Sequence, residues 1–560
     1  MNQLIECVPN FSEGRNPQVI NQITAAIEQV EGVKLLNVDP GKATNRTVVT
    51  FVGPPEAVVE AAFRAVKKAA EVIDMSKHQG EHPRFGATDV CPLIPLSGIT
   101  MDETVGWARK LAKRIGDELA IPVYCYEFAA ASNERRSLAN CRSGEYEGLA
   151  KKLADPHWKP DFGPAVFNAQ TGATAVSARN FLIAYNVNLN TTSTRRANAI
   201  AYDVRESGRV LREGDPLTGK IVTNEKGEPV RVPGSLEKVR AIGWFIEEYG
   251  IAQLSMNLTD IGVTPIHVAF DAVCASAESR GLRVTGSELI GLIPLQAMLD
   301  AGKYFLRKQQ RSLGVPDAEI IKIAVKSMGL DELAPFNPNE RIIEYVLDDD
   351  KKLLQKMSIT AFANETASES TAPGGGSVSA YLGALGAALG GMVANLSAHK
   401  RGWDERWEEF SDWAERAKTF QHKLLKMVDD DTKAFGTLMD AFGMPKNSEA
   451  EKALRSQKIQ EATLNCTLSP LAVMQTAFES MAVIGAMAET GNPASVSDAG
   501  VGALCAKAAV HGAYLNVLIN LKGLKDEALV SNLKHQAEEL LSQASAREQE
   551  ILKTVYEKIG

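Results

Sequence analysis

The stretch TAPGGGSVSAYLGALGAALGGMVANLSAHK, residues 371–400, sets the interpretation of the second half of the chain. Three glycines follow a proline, and no charged residue occurs before Lys400. A phosphate loop of the G-x-x-x-x-G-K-[ST] type is excluded because the spacing and the lysine are missing. A membrane helix is disfavoured because the run is rich in Gly, Ala and Ser and no basic flank or aromatic belt precedes it. The stretch predicts either a flexible linker before a helix or a helix start whose exposed N–H groups can meet a ligand.

The helix predicted after the glycines has large apolar residues at helical spacing and small residues between them. The large residues are predicted to form the core stripe: Leu382, Leu385, Leu389 and Met392. The small residues are predicted to leave room for a neighbouring helix: Gly383, Ala387 and Gly390.

The overall composition is typical of a globular protein, with 45% hydrophobic and 23% charged residues. A net charge of −8 gives no field that attracts nucleic acid or an anionic membrane. Seven scattered cysteines without a C-x-x-C pair indicate reduced thiols in a cytosol-like compartment. The start of the chain, MNQLIECVPNFSEG, lacks the pattern of a signal peptide.

Strand-like and helix-like runs alternate in the first part of the chain. Strands are predicted at LIECVPNF (4–11), KLLNVDP (34–40), TVVTFVG (47–53), VYCYEFAA (123–130) and FLIAYNVNL (181–189). Amphipathic helices between them start at Asn16 and Pro54. We predict two α/β subdomains, in an α+β sandwich-like arrangement, at residues 1–178 and 179–329.

The character of the sequence changes after residue 329. Residues 330–338 contain two prolines and no periodicity, which predicts a linker. Residues 339–560 are predicted to form an all-α helical bundle. Its helices are predicted at 376–398, 403–441, 451–486, 498–521 and 525–558.

One predicted helix carries an aspartate where its apolar stripe requires an apolar residue. The other members of the stripe are Leu424, Val428, Phe435 and Leu438, and Asp431 takes the missing place. Burial of a carboxylate is costly and raises its pKa, which suits proton transfer near neutral pH. A structural aspartate at a helix terminus or in an ion pair explains the pattern equally well. The neighbouring Asp429 and Asp430 are predicted to be solvated.

Two further groups of polar residues interrupt the bundle. GNPASVSDAGVGA (491–503) offers Asn492 and Asp498, which are either a loop with a helix cap or a polar wall facing Asp431. Asn516 and Asn520 place two amides on one helix face, which suits a site or hydrogen bonding between helices.

A histidine lies at a constrained bend in the first subdomain, within KHQGEHPRFGATDVCPLIPL (77–96). His82 precedes a proline and is therefore held extended. It could shuttle protons, although a hydrogen-bonded surface histidine is the simpler interpretation. Gly80 and Pro83 disfavour a helix that would align His78 and His82 as metal ligands. The Gly- and Ala-rich loop in 161–186 could lie under a planar ligand or simply connect the subdomains.

Long motifs in one order resemble the formiminotransferase-cyclodeaminases, a family of bifunctional folate enzymes of histidine degradation. LIECVPNFSEG, TNRTVVTFVGPPE, IDMSKHQGEHPRFGATDVCP and GLIPL resemble the transferase half. ERIIEY, TAPGGGSVSA, the VDDDTKAF run and AYLNVLINL resemble the cyclodeaminase half. The resemblance covers essentially the whole chain, and a polar segment at 208–235 resembles an insertion of bacterial transferases.

The resemblance implies a set of functional residues. The transferase histidine falls on His82 and the cyclodeaminase acid on Asp431. The folate-contacting loop falls on Gly163, Pro164, Ala165, Val166, Phe167, Asn168, Ala169, Gln170, Thr171 and Gly172. Together with the polar residues noted above, the candidate cyclodeaminase pocket comprises Gly374, Gly375, Gly376, Ser377, Asn492 and Asp498.

The resemblance also implies the reactions. The formimino group of N-formimino-L-glutamate passes to N5 of tetrahydrofolate, and 5-formiminotetrahydrofolate then cyclises to 5,10-methenyltetrahydrofolate with release of ammonia. We expect polyglutamylated tetrahydrofolate as co-substrate, no metal, no nucleic-acid or membrane partner, a cytoplasmic location and a homo-oligomer built from dimers. Two alternatives are an active transferase whose bundle serves oligomerisation, and a non-catalytic folate-binding scaffold.

Overall fold

The computed structural model describes residues 3–42, 44–80, 84–214, 219–347 and 353–560. The described residues fall into two compact units, one within 1–297 and 328–347 and the other within 298–327 and 348–560. Two β-sheets with helices make up the first unit, and helices make up the described part of the second. The predicted fold class, two α/β subdomains followed by a helical domain, is therefore confirmed.

A seven-stranded sheet begins the first unit. Its strands are β1 (Leu4–Cys7), β2 (Asn10–Phe11), β3 (Lys34–Gly41), β4 (Arg46–Gly53), β5 (Thr88–Ser97), β6 (Val123–Glu127) and β7 (Thr174–Ala178). The short strands β1 and β2 both pair with β4 on one side and with β5 on the other. The order across the sheet is thus β3, β4, β1/β2, β5, β7, β6, and only the pairings of β7 with β5 and β6 are parallel.

Helices pack on both faces of this sheet, the three longest on one face and two shorter ones against the last two strands on the other. They are α1 (Pro17–Glu28), α2 (Pro55–Val72), α3 (Met101–Leu119), α4 (Leu138–Cys141) and α5 (Glu145–Ala154). As predicted, Asn16 caps α1, and its side chain accepts a hydrogen bond from Gln18 N at 3.0 Å. Side chains alternate along β1, so Ile5 and Cys7 join the core with the helices while Glu6 faces the other side.

A four-stranded antiparallel sheet forms the rest of the first unit's core. The strands that follow in the chain are β8 (Ile183–Leu189), β9 (Arg209–Val210), β10 (Arg212–Glu213), β11 (Lys220–Ile221), β12 (Arg231–Val232), β13 (Val239–Ile246), β14 (Ile251–Leu258) and β15 (Val284–Ile290). The sheet order is β13, β14, β8, β15, and α6 (Thr194–Val204) and α7 (Ile266–Glu278) also belong to this region. The described part of the 208–235 segment forms two short ribbons, β9 with β12 and β10 with β11.

Helices account for most of the remaining chain. They are α8 (Leu295–Lys308), α9 (Asp317–Met328), α10 (Pro338–Arg341), α11 (Ile343–Leu347), α12 (Ile359–Thr366), α13 (Gly375–Ala398), α14 (Trp407–Gly443), α15 (Glu449–Thr490), α16 (Val496–Leu521) and α17 (Glu527–Ile559). The five long helices α13–α17 share one apolar core and match the five predicted spans.

Residues 298–327 pack differently from the other residues predicted for the second transferase subdomain. The sequence analysis placed them in the second transferase subdomain, but they pack with the helical unit. Ser312 Oγ donates to Asn395 Oδ1 at 2.6 Å, and Leu313 N donates to Ser411 Oγ at 3.0 Å. Gly314 lies against the backbone of Ala414, where a Cβ would collide. Such contacts between distant parts of the chain leave no signal in local periodicity.

The burial pattern of α13 confirms the role predicted for its small residues and corrects the role predicted for its large ones. Its buried residues are small, among them Ala380, Gly383 and Ala387, whereas Leu385 and Met392 are exposed. Small residues let neighbouring helices approach closely, as where Gly386 lies against the backbone of α16.

Three helices are long and apolar enough to cross a membrane by length and composition: Gly375–Ala398, Glu449–Thr490 and Pro493–Leu521. In the most apolar 18-residue stretch of each helix, 61%, 61% and 39%, respectively, is buried in the structure. All three helices contribute to the shared core of the bundle.

Candidate active sites

The start of α13 meets a carboxylate that projects from α14. The Asp431 side chain lies directly against Gly376, where an added Cβ would collide with its carboxyl group. The backbone N–H of Ser377 also lies close enough to Asp431 to lower the pKa of its carboxyl group. Glycine is therefore required at 376 so that a carboxylate of another helix can reach the free N–H groups of the first turn.

The hydroxyl of Ser377 connects this carboxylate to α14 itself. Ser377 Oγ lies 2.9 Å from the carbonyl oxygen of Val428 and 3.2 Å from Asp431 Oδ2. A hydroxyl has one proton, and the carbonyl can only accept. When that proton goes to Val428, Ser377 Oγ can accept a hydrogen bond from a protonated Asp431. The geometry therefore accommodates the neutral acid as well as the carboxylate.

Burial raises the pKa of Asp431 above its usual value. The hydrogen bonds from the Ser377 hydroxyl and N–H lower this pKa, but the removal of water outweighs them. A carboxyl with a raised pKa retains its proton to higher pH than an ordinary aspartate does, which favours a role as a proton donor.

Two other helices complete the surroundings of Asp431. Asn516 on α16 lies beside Gly375, so that an added Cβ there would be 3.1 Å from Asn516 Nδ2. Asn516 Nδ2 also donates to Gly512 O, one turn earlier, at 2.9 Å. Cys466 on α15 lies close enough for the charge of Asp431 to raise the pKa of its thiol further above the value set by burial. The glycine turn, an acid, an amide and a thiol therefore converge from four helices.

Asn520, one turn beyond Asn516, bonds to a neighbouring helix. Pro470 inside α15 has no N–H, so the carbonyl of Cys466, four residues earlier, loses its helical partner. Asn520 Nδ2 donates to this carbonyl at 2.6 Å. Of the two open interpretations of this amide, hydrogen bonding between helices is the one observed.

The structure corrects the placement of Asn492 and Asp498. The backbone N–H of Asn492 donates to Ser397 Oγ near the end of α13, whereas Asn516 lies beside its start. At 1.5 Å per residue, Asp498 is about 27 Å from Asn516 along α16. Both residues belong to the opposite end of the bundle and do not line the Asp431 site. Asn492 caps a short 3₁₀ turn, accepting from Ala494 N at 3.3 Å.

Two details of the α14 prediction are also wrong. Asp429 was expected to be solvated, but it is buried and accepts a hydrogen bond from Leu354 N at 2.7 Å. Phe435 was expected in the core, but it is 42% exposed. Of the apolar stripe on α14, Leu424 and Val428 are buried in the core of the helical unit, whereas the stripe beyond Asp431 is no longer buried.

In the first unit, His82 lies outside the described residues. The predicted folate loop, Gly163–Gly172, is described and is held at both ends by glycines with positive φ, Gly163 at 80° and Gly172 at 62°. Gly172 pairs with Gly86, and Ala87 N donates to Thr171 O at 2.8 Å. The end of the loop is thus fixed to the chain that leads into β5.

The exposed middle of the loop is shaped by its own side chains. Asn168 Oδ1 accepts from Gln170 N at 2.9 Å and closes a turn. The ring of Phe167 packs on Tyr146 at a centroid distance of 5.5 Å, and Val166 is 66% exposed. An exposed apolar residue on an anchored loop can contact a planar ligand.

A cavity of about 340 Å³ lies on the face of the first sheet that carries Glu6 and extends to the second sheet. Its polar lining includes residues of β1–β3 and of the segment after β7: Glu6, Asn10, Asn37, Asp39 and Arg179. None of these residues was predicted from the sequence to belong to a site. A carboxylate inside the short apolar strand LIECV was an available signal, of the same kind that identified Asp431.

A cluster of buried charged side chains contacts the wall of this cavity. Asp89, which is fully buried, pairs with both Arg46 and Arg142. Arg46 Nε also donates to Asn10 Oδ1 at 2.9 Å and so orients a residue of the cavity wall. The cluster fixes the polar wall.

Within the described ranges, no group of three or more His, Cys, Asp or Glu side chains could hold a metal ion.

Family models match three segments of the chain. The formiminotransferase domain, N-terminal subdomain, matches residues 4–179, and the formiminotransferase domain matches residues 184–348. The model described as formiminotransferase-cyclodeaminase matches residues 358–539.

Curated relatives agree with these matches. A formimidoyltransferase-cyclodeaminase of Gallus gallus is 44% identical over 547 residues, which cover 97% of this chain and 97% of the relative. A glutamate formimidoyltransferase of Thermoplasma acidophilum is 42% identical and covers 54% of this chain and 92% of the relative. A methenyltetrahydrofolate cyclohydrolase of Methylorubrum extorquens is 39% identical and covers 36% of this chain and 98% of the relative. The chain belongs to the formimidoyltransferase-cyclodeaminase family.

Proposed function

We propose that this chain catalyses two consecutive reactions on one folate. In the first, N5 of tetrahydrofolate attacks the formimino carbon of N-formimino-L-glutamate, the bond from that carbon to the glutamate nitrogen breaks, and a proton passes to the departing amine. In the second, N10 attacks the same carbon, its bond to the imino nitrogen breaks, and ammonia leaves. The product is 5,10-methenyltetrahydrofolate.

The observation that carries the second reaction is the position of Asp431. Its carboxyl group has a raised pKa and lies against Gly376 at the start of α13, next to Gly375, which lies beside Asn516. We assign it the proton given to the leaving nitrogen, because that nitrogen leaves readily only when it is protonated and departs as ammonia rather than as an amide anion. Gly375 and Gly376 allow a flat ligand to approach the N–H groups of the helix start.

For the first reaction, we assign the proton transfers to His82, as the family resemblance implies. The loop Gly163–Gly172 is proposed to contact the folate through its backbone and through the exposed Val166. The cavity lined by Glu6, Asn10 and Arg179 is proposed to hold the reacting groups.

One coupled assay on the full chain tests this assignment by measuring glutamate and ammonia separately. His82→Ala should abolish glutamate release but still release ammonia from added 5-formiminotetrahydrofolate. If the wild-type chain releases glutamate but no ammonia, the bundle serves only oligomerisation. If it binds tetrahydrofolate and releases neither product, the chain is a binding scaffold.

We also propose that the chain forms a homo-oligomer through its helical domain. Large apolar side chains are exposed on α13 and α16: Leu385, Met392, Leu396, Val501, Leu504, Leu515 and Ile519. Residues of this size are seldom exposed together on a monomer, and a second copy of the chain would cover them. Sedimentation should show a dimer or a multiple of it, and the double variant Leu515→Glu/Ile519→Glu should reduce that mass. A monomeric wild-type chain would contradict the proposal.

Polyglutamylated tetrahydrofolate, a metal-free reaction and a cytoplasmic location are further parts of the proposal. All seven cysteines are free thiols, and Cys7 and Cys91 form a hydrogen bond between their sulfur atoms at 3.6 Å rather than a disulfide, which suits a reducing compartment. Chelators should leave both activities unchanged. A longer glutamate tail should lower the KM for folate. Cell fractionation should recover the chain with cytosolic enzymes.

A further inference from the structure

Glu6 is a buried carboxyl group that the assigned roles leave unused. It lies in the middle of β1, and the alternation that directs Ile5 and Cys7 into the helical core directs Glu6 to the opposite face. Only 2% of the residue is exposed, yet it lines the 340 Å³ cavity. Among the residues that the structure describes, none donates a hydrogen bond to it.

Other acidic residues of the same unit show how unusual this is. Asp89 pairs with two arginines, and Asp161 accepts from Cys125 N at 2.8 Å and from Arg135 at 2.8 Å. Buried carboxyl groups normally have such partners, because an unpaired one loses its hydration without compensation. A buried carboxyl that faces a cavity without a described donor is arranged for a donor that arrives with a ligand.

The charges of the cavity indicate what kind of ligand part this is. Its lining contains two carboxyl groups, Glu6 and Asp39, against one guanidinium, Arg179. The glutamate part of the donor substrate and the tail of tetrahydrofolate are both anionic. The formimino group is an amidine, which is a strong base and is protonated near neutral pH. Its planar N–H groups match a carboxylate as those of a guanidinium do.

We propose that Glu6 is a specificity-determining residue of the transferase site, whose carboxylate binds the amidinium of the formimino donor and so favours it over a formyl donor. A formyl group has a neutral carbonyl oxygen in place of the imino nitrogen, so the formyl donor keeps one amide N–H but lacks the positive charge and the second set of N–H donors, and it gains less from the carboxylate. This inference rests on the proposed transferase function.

The preference should depend on pH in a defined direction. The pKa of Glu6 is raised to about 7. This is the net result of burial, which raises the pKa, and of the charge of Arg179, which offsets part of the rise. The ionisable groups that act on Glu6 or share its cavity are Arg179, Glu344, Asp39, Cys7 and Tyr126. Below this pKa the carboxyl is neutral and loses its attraction for a cation. The preference for the formimino donor should therefore weaken as the pH falls through about 7.

The test is calorimetric binding of N-formimino-L-glutamate and N-formyl-L-glutamate to the full chain, which needs no turnover. In Glu6→Gln the formimino donor should bind about 10- to 100-fold more weakly, as expected for a lost hydrogen bond between charged groups. Affinity for the formyl donor should change less than about threefold, because glutamine retains the size and polarity of the site. Glu6→Asp should keep the preference in reduced form.

Controls separate this proposal from a folding defect and from failure of the assigned function. Glu60→Gln, on α2 and paired with Arg64 and Arg114 outside the cavity, should leave both affinities unchanged. Urea unfolding of the variant, compared with that of the wild-type chain, reports whether the first unit, which contains Glu6, is folded. If Glu6→Gln does not fold, the pH dependence of the wild-type preference still tests the proposal.

Three results would overturn the assignment to Glu6. Equal weakening of both donors would mean a structural role. Weaker tetrahydrofolate binding with the donors unaffected would mean that Glu6 binds the N–H edge of the pterin. A wild-type preference that does not change with pH would mean that no carboxylate in this range is involved. If instead the wild-type chain releases no glutamate at all, the proposed transferase function itself is wrong.

Discussion

Asp431→Asn should separate the two activities of this chain. Asparagine has the shape of aspartate and keeps an oxygen that can accept from the Ser377 N–H, so the start of α13 should be unchanged. It cannot donate a proton as an acid. Since general acid catalysis contributes about 10²- to 10⁴-fold, ammonia release from 5-formiminotetrahydrofolate should fall by about that factor. Glutamate release should stay within about threefold of wild type, because the substitution removes nothing from the transferase site.

The same Asp431→Asn substitution that lowers ammonia release should not lower the stability of the folded chain. The folded pKa of Asp431 is raised above its unfolded value, so between the two values the folded chain holds a proton that the unfolded chain releases. The contribution of this group is therefore fully present below the unfolded pKa and is lost as the pH rises through the folded one. Asparagine has no charge to desolvate, so the variant should melt at the same temperature as wild type or higher at neutral pH.

The matched control lies two residues earlier on the same helix. Asp429 accepts from Leu354 N and is buried, so Asp429→Asn weakens a structural bond and should cost about 1 kcal/mol of stability. Its ammonia release should stay near wild type. If Asp431→Asn releases ammonia at more than about one tenth of the wild-type rate, it loses less than general acid catalysis normally contributes, and the assigned role is refuted.

Three further substitutions test the packing around the two sites. Gly376→Ala should lower ammonia release at least about tenfold, because the added methyl group displaces the Asp431 carboxylate. The control Gly436→Ala, in open space on α14, should leave ammonia release unchanged and raise stability by at most about 1 kcal/mol, so equal activity of the two variants would contradict this prediction. Asn520→Ala should lower the stability of the bundle by about 1–3 kcal/mol, seen in thermal unfolding, because the carbonyl that a proline frees in α15 loses its donor; an unchanged melting temperature would show that water replaces the amide. Asp89→Asn should destabilise the first unit by about 3–5 kcal/mol in urea unfolding, because two arginines lose a buried counter-charge, while ammonia release persists; an unaltered first transition would show that this charge is dispensable.

The sequence predicted most of the elements of this fold because each has a strong local signal. Alternating strands, the Asn16 cap and the five long helical spans are all encoded within a few neighbouring residues. The association of residues 298–327 with the helical unit depends on contacts with residues about 80 to 100 positions away, such as Ser312 with Asn395 and Leu313 with Ser411. Periodicity cannot report contacts of that kind.

The site predictions divide in the same way. Asp431 and the glycine turn came from a broken stripe and an unusual helix start, and the structure brings them together. Asn492 and Asp498 were placed with them on polarity alone, which does not say which end of an antiparallel helix faces the site. The larger apolar residues of α13 and Phe435 were placed in the core because hydropathy marks a face as apolar without saying what covers it.

The most direct test of the account is the rate of ammonia release from 5-formiminotetrahydrofolate, measured against pH in single turnovers. If Asp431 supplies the proton, the wild-type rate should fall as the pH rises through the raised pKa of this carboxyl group, and Asp431→Asn should be slow and lack that decline. An asparagine variant that keeps both the wild-type rate and its decline with pH would show that the proton comes from another group.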